Sequence, residues 1–136
     1  MCTANYFTIV DLLKSTTAER MKIDNQPSDR VRRELEITAC KLNLISLLAH
    51  AYGSTIRVTS GYRCKRLNAA VGGVKNSLHM KGRAVDFVVS DSGIKHKLHE
   101  ALKEEACLKL LGICELIEYP SFIHVGFLSL LDMPNR

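Results

Sequence analysis

The hydrophobic positions of the chain fall into two long helical patterns separated and followed by short β-branched runs. After Pro27, residues Val31, Leu35, Thr38, Leu42, Ile45, Leu48 and Ala49 recur every three to four positions. That spacing predicts an amphipathic helix, capped by Ser28 and reaching about His50, that forms one wall of the core. Ile94, Leu98, Ala101 and Leu102 predict a second long helix from Gly93 to about Leu110, with Ser92 as its cap. IRVTS (Ile56 to Ser60), after the turn residues Tyr52-Gly53-Ser54, and AVDFVV (Ala84 to Val89) read as strands. CELIE and FIHVGF flank Tyr119-Pro120-Ser121 and read as a hairpin. Helices around a small, mainly antiparallel sheet give the α+β class.

The intervening segments are shorter. Residues 1–26 read as an N-terminal extension packing on the rest, with one or two brief helices and Thr16 or Thr17 as a cap before AERMK. GYRCK reads as a loop, residues 67–71 as a helical turn, and Gly72-Gly73 as a break. No repeat, low-complexity tract or long linker divides the 136 residues, so one domain over 1–136 is expected.

Composition narrows the function classes. The longest apolar runs, such as LNLISLLA, fall far short of the roughly 20 residues that span a bilayer, so no membrane insertion is expected. MCTANYFTIVDLLKS lacks the basic and apolar regions of a secretory signal, which predicts synthesis in the cytoplasm without a signal peptide. Five cysteines without CxxC spacing argue for reduced thiols, with Cys40, Cys107 and Cys114 expected as small core residues. A net charge of +5 suits an anionic partner: nucleic acid, an acidic lipid face or the bacterial wall. Aromatic content of 6% without tryptophan gives little support for base stacking, so charge is the sole argument for nucleic acid.

One polar stretch stands out. In SLHMKGRAVD, His79 lies in a glycine-bearing turn that enters a strand, and Asp86 follows seven residues later among Val85, Phe87, Val88 and Val89. A carboxylate among residues expected to be buried is costly unless it is paired or holds a cation. His124, inside FIHVGF, shares a face with Phe122 and Gly126. Histidine, aspartate and histidine at strand ends make a suitable three-ligand set for Zn²⁺ with the fourth position open. A buried histidine paired with Asp86 is an equal reading on spacing alone. His50, His96 and His99 sit on helices and are assigned to structure or solvent.

The run Ser77-x-His79-x-x-Gly82-x-Ala84-x-Asp86 resembles the SxHxxGxAxD signature of the zinc D-alanyl-D-alanine carboxypeptidase family, with its hedgehog/DD-peptidase fold. Five fixed positions at about five per cent usage each match by chance about once in a few million windows. RVTSGYR (Arg57 to Arg63), LNAAVGGVKNS and FIHVGF are similar to further family segments in the same order, from about Tyr6 to Phe127. The similarity is greatest to small phage and prophage members. It implies one Zn²⁺ held by His79, Asp86 and His124, a substrate carboxylate or carbonyl gripped by Arg63, and a substrate backbone bonded by Ser77. Without the resemblance, Arg63 reads as a surface arginine and Ser77 as a turn serine.

The implied activity is hydrolysis of peptide bonds in bacterial peptidoglycan, by a carboxypeptidase or endopeptidase acting on stem peptides. A monomer that meets the wall after lysis, as an endolysin does, or as part of a virion would fit; no nucleic acid is involved. A zinc-containing but non-catalytic wall-binding or phage structural module is the alternative.

One departure keeps that alternative open. Family members carry a glutamate or histidine two or three residues before the final zinc histidine, where this chain has Ser121 and Phe122. Glu118, six residues before His124, is the candidate base. A turn at Tyr119-Pro120-Ser121 would set it opposite Phe122 and diagonal to His124, at about 7 to 8 Å. A surface salt-bridge role competes, and Glu115 comes second because a regular strand would face it away.

Overall fold

A computed structural model describes residues 5–131. In chain order it contains helices α1 (Ile9–Leu13), α2 (Thr16–Met21) and α3 (Asp29–Ala51), strand β1 (Ile56–Ser60), helix α4 (Lys65–Ala70), a 3₁₀ turn (Leu78–Lys81), strand β2 (Ala84–Val89), helices α5 (Ser92–Leu102) and α6 (Glu105–Leu111), and strands β3 (Ile113–Glu118) and β4 (Ile123–Phe127). The strands form one sheet in the order β1-β2-β4-β3, every neighbouring pair antiparallel. The α+β class therefore holds.

Alternation along the strands divides the sheet into two faces. Val85, Phe87 and Val89 of β2, and Ile123, Val125 and Phe127 of β4, point into the core with Leu35, Leu42, Ile45 and Ala49 of α3 and Leu98 and Leu102 of α5. Each large aliphatic or aromatic side chain buried this way contributes about 1.5 to 3 kcal/mol. Asp86 and His124 point to the opposite face. The helical layer thus fixes the sheet from behind and leaves its front for chemistry.

α3 follows its predicted limits, and the Ser28 hydroxyl accepts from the Val31 N–H at 3.3 Å. Its buried side also takes Glu34 and Lys41, which periodicity alone assigns to solvent. The Glu34 carboxylate accepts from the Ser129 hydroxyl at 2.9 Å, and the Lys41 ammonium lies 4.9 Å from the centre of the Phe127 ring. Both long side chains keep a polar or π partner at their tips.

Four expectations need correction. The predicted helix from Gly93 to Leu110 is two helices, broken at Lys103-Glu104. Continuing α5 in phase from Leu98 and Leu102 would bring Glu105 and Lys109 to the core. The break resets the phase, so that Leu111 is buried while Glu105 and Lys109 stay exposed. Asp91 rather than Ser92 caps α5, its carboxylate accepting from the N–H groups of Gly93 and Ile94. Ser15 rather than Thr16 or Thr17 caps α2. Cys40 and Cys114 are exposed and Cys107 is half-buried, so these are not core residues; Cys40 lies off the inward stripe of Ala39 and Leu42, and Cys114 stands at a register shift of β3. The four described cysteines are free thiols, and Cys2 lies outside the described residues.

The N-terminal residues support the loop after β1. The Leu12 carbonyl accepts from the Tyr62 N–H at 2.7 Å. Asn25 donates to the carbonyls of Leu13 and Tyr62 and accepts from the Cys64 N–H. Gly61 sits so close to α1 that a Cβ there would lie 2.3 Å from the Leu12 carbonyl oxygen. That contact is with backbone and cannot yield by a side-chain rotation. Gly61→Ala is therefore expected to destabilise the protein by about 2 to 3 kcal/mol, as overpacking does, measured by urea unfolding.

Candidate metal centre

His79 reaches the front of the sheet from the 3₁₀ turn. The Ser77 hydroxyl caps that turn by accepting from the His79 N–H at 3.1 Å, and Gly82 ends it with a left-handed backbone at φ 72°. The Gly82 carbonyl accepts from the Thr38 hydroxyl at 2.6 Å, which ties the turn to α3. His79 itself is buried, at 2% exposure, and its Nδ1 lies 2.7 Å from the Gly61 carbonyl oxygen. A carbonyl only accepts, so Nδ1 carries a proton and, in the neutral ring, Nε2 presents a lone pair.

That lone pair meets two side chains brought by adjacent strands. Asp86 and His124 are directly paired across β2 and β4. Asp86 Oδ1 is 3.3 Å from His79 Nε2 and 2.7 Å from His124 Nδ1. The two imidazole rings are 5.3 Å apart, centre to centre. The three residues offer ligand atoms that all lie within 4.8 Å of one another, and among the described residues they are the one such group.

Electrostatics fit the arrangement to a cation. Burial works against the Asp86 carboxylate, but hydrogen bonds and charge from His124 and His79 outweigh it and hold its pKa at about 2. Burial likewise opposes a charged His124, and the Asp86 and Glu115 carboxylates more than offset that, leaving its pKa raised. His79 Nε2, although 3.3 Å from Asp86, is buried without a hydrogen bond of acceptable geometry. In the neutral ring a buried lone pair faces this ionised carboxylate, a repulsion that either a second ring proton or a metal cation between them relieves. Zn²⁺ bonds of about 2.0 to 2.1 Å in tetrahedral geometry call for a ligand separation near the 3.3 Å observed between His79 and Asp86. Two imidazoles and a carboxylate suit zinc, and no cysteine is in the group.

Glu118 lies away from the three ligand candidates. Tyr119 N–H donates to the Phe122 carbonyl at 2.8 Å, so the turn has two residues, Pro120 and Ser121, rather than three. Glu118 then pairs with Ile123, not Phe122, and a one-residue change of register moves every side chain of a strand to the other face. Glu118 lies against α5, with Oε1 2.9 Å from His96 Nδ1 and 3.6 Å from His99 Nδ1, and Oε2 3.8 Å from Lys95 Nζ. Lys95 also donates to the carbonyls of Tyr119 and Pro120. Glu118 thus anchors the hairpin from behind the sheet and does not meet His124.

The same register brings Glu115 forward. Ile117 pairs with His124 and Glu115 with Gly126, and the shift at Cys114 lets Ile113 remain in the core while Glu115 faces the front. Glu115 Oε1 lies 2.8 Å from His124 Nε2. It passes over Gly126, where a Cβ would come within 2.7 Å of that oxygen. The signal for Glu115 was present in the sequence, in the glycine two residues after His124, but its reading depends on turn length.

Arg63 and Ser77 line the same cleft as the three ligand candidates, with Glu115, Tyr119 and Phe122 on the opposite wall. The Arg63 backbone N–H donates to the His79 carbonyl at 3.1 Å, and its Nε is buried without a hydrogen-bond partner. Burial lowers the Arg63 pKa, and the nearby Asp86 charge raises it in part. Ser77 is buried, its oxygen engaged by the His79 N–H and its proton still able to donate.

The model of the family described as Peptidase M15 matches residues 5–126. The chain belongs to the Peptidase M15 family. This is a family of zinc-dependent peptidases, and the match runs from before α1 to the penultimate residue of β4. No curated protein matches the chain. Among the described residues, no helix is long and apolar enough to cross a membrane.

The depressed Asp86 pKa has a consequence for the metal-free M15 chain. A group held at about 2, against an ordinary 3.8, contributes stability that is fully present above pH 4 and is lost as pH falls through 2. Acid titration of the metal-free protein is expected to remove about 2 kcal/mol through this group. Asp86→Asn is expected to flatten that part of the profile, measured by chemical unfolding between pH 2 and 5.

Proposed function

We propose that the protein is a zinc peptidase of bacterial peptidoglycan, with one Zn²⁺ held by His79 Nε2, Asp86 and His124. The observation that carries this reading is the buried, unpartnered Nε2 of His79, aimed at Asp86 on the floor of an open cleft. When bound, zinc supplies Lewis acidity that polarises a carbonyl and makes water a better acid near neutral pH.

The remaining work falls to the chain. Arg63, with an unsatisfied Nε, grips a carboxylate or carbonyl of the peptide. Ser77 donates its hydroxyl proton to a backbone carbonyl. Glu115 replaces Glu118 as the acid–base residue. Its Oε1 orients His124, as outer-shell carboxylates do for metal-bound histidines, and its Oε2 takes a proton from the attacking water and returns it to the leaving amine. The net charge of +5 favours approach to an anionic wall.

Four proteins test these roles together: wild type and the variants His79→Ala, Glu115→Gln and Glu118→Gln, each assayed for bound zinc and for amino groups released from purified peptidoglycan. His79→Ala is expected to lose the zinc. Glu115→Gln should keep it while losing about 10²- to 10⁴-fold in rate, the range for a general base. Glu118→Gln should retain activity within a few-fold. Stoichiometric zinc with no product from any wall type would favour a non-catalytic wall-binding module. Loss of activity in Glu118→Gln alone would return the base to that residue.

A further inference from the structure

Helix α3 is apolar on two sides. Leu35, Leu42 and Ala49 point into the core, and at about 100° per residue the opposite side carries Arg33, Ile37, Cys40, Leu44, Leu47 and Ala51. Cys40, Leu44, Leu47 and Ala51 are exposed, Leu44 at 52% and Leu47 at 57%. Helix α5, by contrast, turns His96, Lys97 and Glu100 to solvent. Tyr6, 78% exposed, widens the patch, because its neighbours bind the same helix. The Asn5 carbonyl accepts from the Ser46 hydroxyl at 2.8 Å, and the Phe7 N–H donates to Asn43 Oδ1 at 2.7 Å.

The spacing of this outer face identifies what fits it. Its six positions are separated by four, three, four, three and four residues, the repeat that keeps one helix against another. That order reads the same in both directions about Leu42. Two antiparallel copies centred there set Arg33 beside Ala51 of the second copy, Ile37 beside Leu47, and Cys40 beside Leu44, with each layer occurring twice. In the first and last of these layers a long side chain meets a short one.

Charge agrees with that orientation. Arg33 lies near the N-terminal end of α3, where a cation opposes the dipole of its own helix, and antiparallel pairing brings it to the negative C-terminal end of the other. Parallel pairing would set the two Arg33 side chains against each other. A lipid surface fits less well. From Ile37 to Ala51 the only lysine or arginine is Lys41, which is buried against the Phe127 ring, so no cationic flank faces an anionic membrane.

We propose that the protein pairs through α3 as an antiparallel, two-fold symmetric dimer. The seam lies behind the sheet, on the far side from His79, Asp86 and His124, so pairing leaves both clefts open. From Ile37 to Ala51 it is about 21 Å long. Even with Tyr6 beside it, that is less than the roughly 800 Å² per partner of a standard interface, so the pair is reversible, with a dissociation constant of about 1 to 100 μM.

The test is sedimentation equilibrium of the full chain under reducing conditions, from about 1 to 300 μM, with wild type expected to pass from monomer to dimer. Leu44→Glu, which places a charge in the seam from an exposed position, should weaken pairing by about tenfold or more while the urea-unfolding midpoint of the monomer is retained. Leu44→Cys under mild oxidation should give a covalent dimer in which position 44 of one copy is linked to Cys40 of the other, identified by mass spectrometry of the joined peptides. The monomer expected from the sequence, if found at every concentration, would overturn the proposal. A dimer indifferent to Leu44→Glu would place the interface elsewhere and overturn it equally. Linkage of Cys40 to Cys40 in the wild type, with none between positions 40 and 44 in the variant, would overturn the antiparallel arrangement. A monomer that binds anionic vesicles, and loses them in Leu44→Glu, would assign the face to lipid instead.

Discussion

The hydrogen bond from His79 Nδ1 to the Gly61 carbonyl is the constraint on which the site depends. It fixes the tautomer of the neutral ring, in which the nitrogen facing Asp86 is free to donate its electrons to a metal. The bond joins two segments far apart in sequence, and each is held by its own partners. Gly61 is pressed against the α1 backbone, while the His79 turn is capped by Ser77 and tied to α3 through Thr38. The N-terminal helices thus contribute to the proposed metal site without supplying a candidate ligand, because they place the carbonyl that orients His79.

The sheet supplies the other half of the arrangement. Asp86 and His124 are cross-strand partners, so their approach follows from one register between β2 and β4. The core behind them is what makes that register stable, since a slip by one residue would expose Phe87 and Ile123 and bury the polar pair. The hairpin then determines which acid joins the site. With a two-residue turn, Glu115 reaches His124 over Gly126, and Glu118 is spent on Lys95, His96 and His99, where it steadies the strand that carries Glu115.

Most of this was legible in the sequence wherever a periodicity or a fixed spacing carried it. The α3 stripe, the four strands and the convergence of His79, Asp86 and His124 follow from patterns that local geometry obeys directly. What escaped depended on a single residue of register. Whether Tyr119 belongs to the turn or to the strand cannot be read from Tyr-Pro-Ser, yet that choice exchanges Glu115 for Glu118. The break between α5 and α6 was hidden for a related reason. Lys103-Glu104 contains neither proline nor glycine, and only the change of phase between Leu102 and Leu111 marks it. Cys40 and Cys114 were misplaced because apolar neighbours in sequence are not neighbours on a helix face or at a strand bulge.

The central claim is that two imidazoles and one carboxylate, already assembled, bind zinc through nitrogen and oxygen. X-ray absorption at the zinc edge of the loaded protein tests this most directly. The account predicts one zinc per chain with two imidazole nitrogens and the remaining ligands oxygen, at about 2.0 to 2.2 Å. A sulfur ligand near 2.3 Å would place the metal at a cysteine and contradict it.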